Sequence, residues 1–187
     1  MLKIYYCDIS YVNLENEVLE VSSVARNKYL ESITDNKRKK QSFFVWKLLE
    51  RVLIDNGFLN LQFFEDNGKW ETDCKNLDFS LSHSENIVCV AISDFSVGVD
   101  VENISEKAKR VLIKKQKLLD STNLDNETFT KLWTEKESEF KRGKTGIFSS
   151  FKILDKNNID YLLTVCASES IDCLELVKFD NNFNINN

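Results

Sequence analysis

The stretch from Leu77 to Val101 sets the strongest limit on how this chain folds. Leu77, Phe79 and Leu81 alternate with polar neighbours, Ile87 to Ile92 is a continuous apolar run, and Val97 to Val101 follows a turn signal at Ser93-Asp94. Period-two alternation and short apolar runs bounded by turn residues are marks of β-strands. Three strands in close succession predict a small sheet. A helix is predicted from about Asp35 to Asp55, with Phe43, Phe44, Leu48, Leu49, Val52 and Leu53 at helical spacing. Asn56-Gly57 ends it as a C-terminal cap.

The flanking segments repeat this mixture. Lys3 to Ile9 reads as a first strand, Val24 to Leu30 as a short helix, Leu59 to Phe64 as a strand, and Asn67-Gly68 as a turn. Beyond Val101, helices are predicted over about Ser105 to Leu119 and Asn126 to Arg142. Strands follow at Phe148 to Leu154, Tyr161 to Ala167 and Cys173 to Phe179, before a polar, frayed tail from Asn181 to Asn187. Each half runs strand, helical region, then strands. The predicted class is α+β, in two similar units of residues 1–96 and 97–187.

Composition bounds the partners. At 187 residues and 42% hydrophobic the chain can bury a core as one large domain or two small ones. A net charge of −5 gives no overall basic footprint for nucleic acid or membrane, though a local basic pocket for an anionic cofactor is compatible with it. The five cysteines are scattered with no CxxC pair, the pattern of reduced thiols in a cytosolic protein. No apolar run is long enough to span a bilayer, and MLKIYYCDIS lacks the features of a secretory signal. A soluble, cytoplasmic protein is expected.

Four constellations could carry chemistry. In VGVDVE at 97–102, Asp100 and Glu102 share one face of a strand. Paired carboxylates repel unless a cation or proton lies between them, and such oxygen ligands suit Mg²⁺; the bland alternative is a solvated strand end. In FTKLWTEKESEFKRGK at 129–144, Phe129, Leu132, Trp133 and Phe140 define an apolar helix stripe. That stripe is interrupted by Lys136 and Glu137, with Lys141 one turn beyond. Glu137 on a core-facing side needs a partner or a metal; otherwise the pair simply reaches solvent. FSLSHS at 79–84 holds the only histidine, His83, among hydroxyls and N–H groups suited to a phosphate. Ser82 and His83 are adjacent on a strand and point apart, which disfavours a Ser–His nucleophile. The fourth is basic: Lys37 to Lys40, then Lys47, and Asn67-Gly68-Lys69.

In order and spacing these pieces resemble the surfactin-synthetase-activating type of the 4'-phosphopantetheinyl transferase superfamily. That family carries a (V/I)G(V/I)DxE strand, here VGVDVE, and a W-x-x-K-E-x-x-x-K helix, here Trp133, Lys136, Glu137 and Lys141. Its GKP turn is similar to Gly68-Lys69-Trp70, with Trp70 in place of proline, and its F-x-(I/L)-S-H-S strand end to residues 79–84. LLTVCAS at 162–168 looks like its closing segment.

The resemblance implies a pseudo-dimer of two α+β halves, each a small antiparallel sheet packed on helices, with the active site in the cleft between them. It implies that Asp100, Glu102 and Glu137 hold Mg²⁺. Lys47 (or Arg38), Lys69, Ser82, His83, Lys136 and Lys141 would bind coenzyme A, with Glu137 and Lys141 as the catalytic pair. The implied reaction is that of a holo-acyl-carrier-protein synthase. It moves phosphopantetheine from coenzyme A to a serine of an apo acyl or peptidyl carrier protein, and the enzyme would act as a monomer. Two other readings stay open: a different Mg²⁺-dependent phosphotransfer enzyme, disfavoured by the lack of a GxxxxGK[ST] loop, and a catalytically silent binding protein.

Overall fold

The computed structural model describes residues 2–10, 12, 19–66, 68–116, 123–168 and 174–178. In chain order the elements are β1 (Leu2–Asp8), α1 (Val24–Ser32), α2 (Asn36–Asp55), β2 (Phe63–Asp66), β3 (Lys69–Thr72), β4 (Asp78–Ser84), β5 (Ile87–Ser93), β6 (Val97–Asn103), α3 (Glu106–Gln116), α4 (Asn126–Arg142), β7 (Ile147–Leu154), β8 (Asp160–Ala167) and β9 (Leu174–Lys178). The mixed α and β class is as expected.

One sheet has the order β4-β5-β1-β9, a second β6-β8-β7, and β2-β3 form a hairpin. All neighbours pair antiparallel except β1 and β9, which run parallel from Leu2 opposite Leu174 to Tyr6 opposite Lys178. The last described strand thus completes the sheet begun by the first, across the 96/97 division drawn from sequence.

Strand alternation sorts the apolar residues into two cores. On β1 and β5, Tyr5, Cys7, Val88, Val90 and Ile92 face α2, where they meet Phe43, Phe44, Trp46, Leu48, Leu49 and Val52. The opposite face of the same strands, with Ile4, Ile87, Cys89 and Ala91, meets Val97, Val99, Val101, Leu163 and Val165 of the second sheet. The layers run helix, sheet, sheet, helix, with α4 on the outer side of the second sheet. Each large apolar side chain buried this way contributes roughly 1.5–3 kcal/mol.

Capping explains where the two long helices begin and end. Asp35 accepts the Arg38 N–H at 2.6 Å to start α2, and Gly57 follows its end at a φ of 81°. Asp125 accepts the Thr128 N–H at 2.9 Å to start α4, and Gly143 closes it in the left-handed conformation.

Two expectations need correction, and one strand was not anticipated. The strand expected at Leu59 to Phe64 begins only at Phe63, because Asn60 takes a φ of 57° and breaks the extended run. Strand β3, which pairs with β2, had no apolar signature in the sequence. The apolar stripe drawn on α4 is rotated: Phe129 and Trp133 are buried, whereas Leu132 is 52% and Phe140 80% exposed. The inward face continues instead through Thr130, Thr134, Ser138 and Arg142. Helix α3 is described to Gln116, and the predicted extension to Leu119 runs outside the described residues, as does the polar tail.

Candidate active site

The site forms where the edge strands of the two sheets meet. In β4 the odd positions Phe79 and Leu81 pack toward α2, which leaves Asp78, Ser80, Ser82 and Ser84 facing the second sheet. Strand β6 is an edge strand, so the N–H groups it does not give to β8 need other acceptors. The β4 side chains supply them. Val97, Val99, Val101 and Asn103 donate to Asp78 Oδ2, Ser80 Oγ, Ser82 Oγ and Ser84 Oγ at 2.8, 2.9, 3.3 and 3.3 Å. Two hydroxyls in turn donate to carboxylates: Ser82 to Asp100 Oδ1 and Ser84 to Glu102 Oε2, each at 2.7 Å.

Helix α4 lies directly on β6 at Gly98. A Cβ built there would sit 1.9 Å from the Ser138 carbonyl oxygen and 2.7 Å from the Arg142 nitrogen, so only glycine permits the approach. One turn along, Lys141 reaches into the seam. Its ammonium donates to Asp100 Oδ1 at 2.7 Å, Ser82 Oγ at 2.9 Å and the Val99 carbonyl at 3.1 Å. Hydrogen bonds to a charged group of this kind each contribute about 1.5–3 kcal/mol. Arg142 ties the end of the helix down through the Ser96 carbonyl at 3.2 Å.

Three carboxylates act on one another here. Asp100 is buried, and its Oδ2 has no hydrogen-bond partner. Burial, then the charge of Asp100, pushes Glu102 up to about 7, against the pull of Ser84 and Lys141. Burial and Asp100 likewise raise Glu137, which Lys141 and Lys136 partly offset. A buried, unpartnered carboxylate oxygen beside two carboxyls that resist ionisation is an arrangement a divalent cation would relieve. Among the described residues no three His, Cys, Asp or Glu side chains already form a ready cage, so the fit rests on the donor chemistry of these three oxygen ligands and on the orphaned Oδ2.

His83 lies on the other face of β4 from Ser82. Burial first, then the charges of Lys141, Arg26 and Arg38, lower it to about 4, so the imidazole is neutral near pH 7. Arg26 was not anticipated. It is 4% exposed, stacked against Tyr29, Trp46 and Trp70 at 4.6–5.2 Å, and its guanidinium donates to Ser42 at 2.7 and 3.0 Å. Nothing in its local sequence marked it, since the cage is assembled from α1, α2 and β3.

The remaining predicted cations divide. Lys69 forms an ion pair with Asp78 at 3.0 Å and stands beside the seam. Lys136 is exposed, over the Trp133 ring. Lys47 is not drawn into this group: its ammonium pairs with Glu50 at 3.2 Å. Lys37 pairs with Glu85, and Lys40 donates to the Val12 carbonyl. Lys141, expected on phosphate, has its three protons directed to protein acceptors.

Two openings border the site. A cavity of about 640 Å³ is lined by Gly68, Lys69, Trp70, Phe79, Phe140 and Lys141, among others. Another of about 440 Å³ reaches Ser84 and Glu102, with Lys107 and Tyr161 at its walls. Among the described residues no helix is long and apolar enough to cross a membrane.

Residues 96–185 match the family model of the 4'-phosphopantetheinyl transferase superfamily. No curated protein matches the chain. The matched segment contains Asp100, Glu102, Glu137 and Lys141, whereas Lys47, Lys69, Ser82 and His83 precede it.

Proposed function

We propose that this chain is a holo-carrier-protein synthase of the surfactin-synthetase-activating type, transferring 4'-phosphopantetheine from coenzyme A to a serine of an apo acyl or peptidyl carrier protein. The observation that carries this reading is the buried, unpartnered Asp100 Oδ2, whose charge raises Glu102 and Glu137, within a segment that matches the superfamily model. Asp100, Glu102 and Glu137 would hold Mg²⁺, which when bound supplies positive charge against the pyrophosphate of coenzyme A.

In this reading the carrier serine hydroxyl attacks the β-phosphorus, the bond to the departing 3',5'-ADP breaks, and Glu137 takes the serine proton directly or through a water beside it. A raised Glu137 supports that role, because a carboxylate nearer neutrality is a stronger base. Lys141 keeps Asp100 and Ser82 in place. Neutral His83, near the charges of Lys141, Arg26 and Arg38, donates to a phosphate oxygen, and Lys69 adds positive charge beside the seam. Lys136 and Lys47 contribute charge at the rim. The enzyme would act as a cytoplasmic monomer.

Incubating the protein with coenzyme A, Mg²⁺ and an apo-carrier should raise the carrier's mass by one phosphopantetheine. Glu137→Ala and Asp100→Asn should remain folded and lose more than about 100-fold in transfer, since a lost ligand should cost more than the roughly 10–100-fold of a lost supporting hydrogen bond. Near-normal transfer by either variant would remove the metal assignment.

A further inference from the structure

The side chains that β4 turns toward β6 are four rungs of one ladder, each bonded to a backbone N–H 19 residues further along the chain. They are not equivalent. Among the described residues, Ser80 makes no hydrogen bond to Asp100, Glu102 or Glu137. Ser82 and Ser84 cap N–H groups in the same way but also donate to carboxylates. A hydroxyl has one proton and two lone pairs. With the Asn103 N–H directed at a lone pair of Ser84, the hydroxyl proton is fixed toward Glu102. Ser84 is 7% exposed, so water does not readily compete for that proton.

We propose that Ser84 is a positioning residue for the cation site: gripped by the Asn103 N–H, its hydroxyl aims the Glu102 carboxylate beside Asp100, so the seam that joins the two sheets also sets the ligand geometry. Ser82 does the same for Asp100, with Lys141 as a further constraint. This rests on the reading that the carboxylates hold a divalent cation. Donors that fix a metal-binding carboxylate typically hold roughly 10–100-fold of the metal affinity.

The test is Mn²⁺ affinity of the full chain, read by electron paramagnetic resonance of the free ion and by calorimetry, with thermal unfolding run alongside. Ser84→Ala is expected to weaken Mn²⁺ binding roughly 10–100-fold. Ser80→Ala removes an equivalent N–H cap and should lower the melting temperature while leaving Mn²⁺ affinity unchanged. Ser84→Thr, which keeps the hydroxyl, should restore binding. If Ser84→Ala does not fold, Ser84→Cys keeps the packing with a weak donor and should show the same loss. Equal loss in the Ser80 and Ser84 variants, or none in either, overturns the proposal. Failure of the unsubstituted protein to bind Mn²⁺ would instead overturn the cation reading itself, and the positioning role with it.

Discussion

Helices α2 and α4 each cover one sheet and each carry lysines and glutamates, yet they treat those charges in opposite ways. The inner face of α2 is filled by Phe43, Phe44, Trp46, Leu48 and Leu49. Arg26 enters that layer only within its aromatic cage, while Lys37 and Lys47 turn to Glu85 and Glu50. Beneath α4 the apolar layer ends after Trp133 and gives way to Thr134, Ser138 and the bare backbone at Gly98. There the helix approaches closely enough for Lys141 to reach Asp100 on an edge strand. What lies opposite a charge, more than the charge itself, decides whether it becomes part of a site.

Gly98→Ala breaks this contrast most severely, because it forces α4 to stand off from β6. Overpacking of this kind costs about 1–3 kcal/mol, and sometimes more, which lowers the melting temperature by roughly 2–4 °C per kcal/mol in a chain of this size. Transfer should fall further than stability does, since the Lys141–Asp100 contact depends on the approach. Calorimetric unfolding and the carrier assay check both; an unchanged melting temperature would mean that the contact at Ser138 is not tight.

His83 offers a finer measure. As the only histidine it gives an unambiguous imidazole signal in NMR, expected to titrate near about 4 rather than the ordinary 6.5. Because the folded value lies below the unfolded one, the unfolded chain takes up this proton first. Stability is therefore full above about 6.5 and falls as pH drops toward about 4. His83→Gln should flatten that part of the profile. Added pyrophosphate should raise the NMR midpoint, and a midpoint at the ordinary value without it would remove both the burial of His83 and its cationic surroundings from the account.

The smallest effect belongs to α2. Lys47→Ala should change stability by less than about 1 kcal/mol, as expected of a partly exposed i,i+3 pair. A loss of about tenfold or more in coenzyme A affinity in the same variant would show that Lys47 leaves Glu50 when ligand arrives.

The legible parts of the sequence were those governed by local periodicity. Helix α4 spans Asn126–Arg142, the range expected, and β4, β5 and β6 fall on the expected runs. Asp100 and Glu102 were visible because a strand's period puts them on one face. Less visible was anything fixed from across the molecule. The inward face of α4 meets Gly98, which lies far off in the sequence on β6. Arg26 looks like an ordinary helix cation until Trp46 and Trp70 close around it. The serines of FSLSHS suggested phosphate ligands, whereas Ser82 and Ser84 bond to β6 and its carboxylates.

The parallel pairing of β9 with β1 has a consequence for how the protein is made. The strand at residues 2–6 takes its outer neighbour from residues 174–178. At synthesis rates of ~5–20 residues per second the earlier strand waits on the order of ten to thirty seconds for that partner. Until then one edge of the first sheet presents open backbone groups, the kind of edge that recruits stray strands. The contact that closes the sheet is among the most distant in the chain, and such long loops slow folding. A nascent chain halted before residue 174 would therefore carry its first sheet unfinished, a natural client for a chaperone at the ribosome exit.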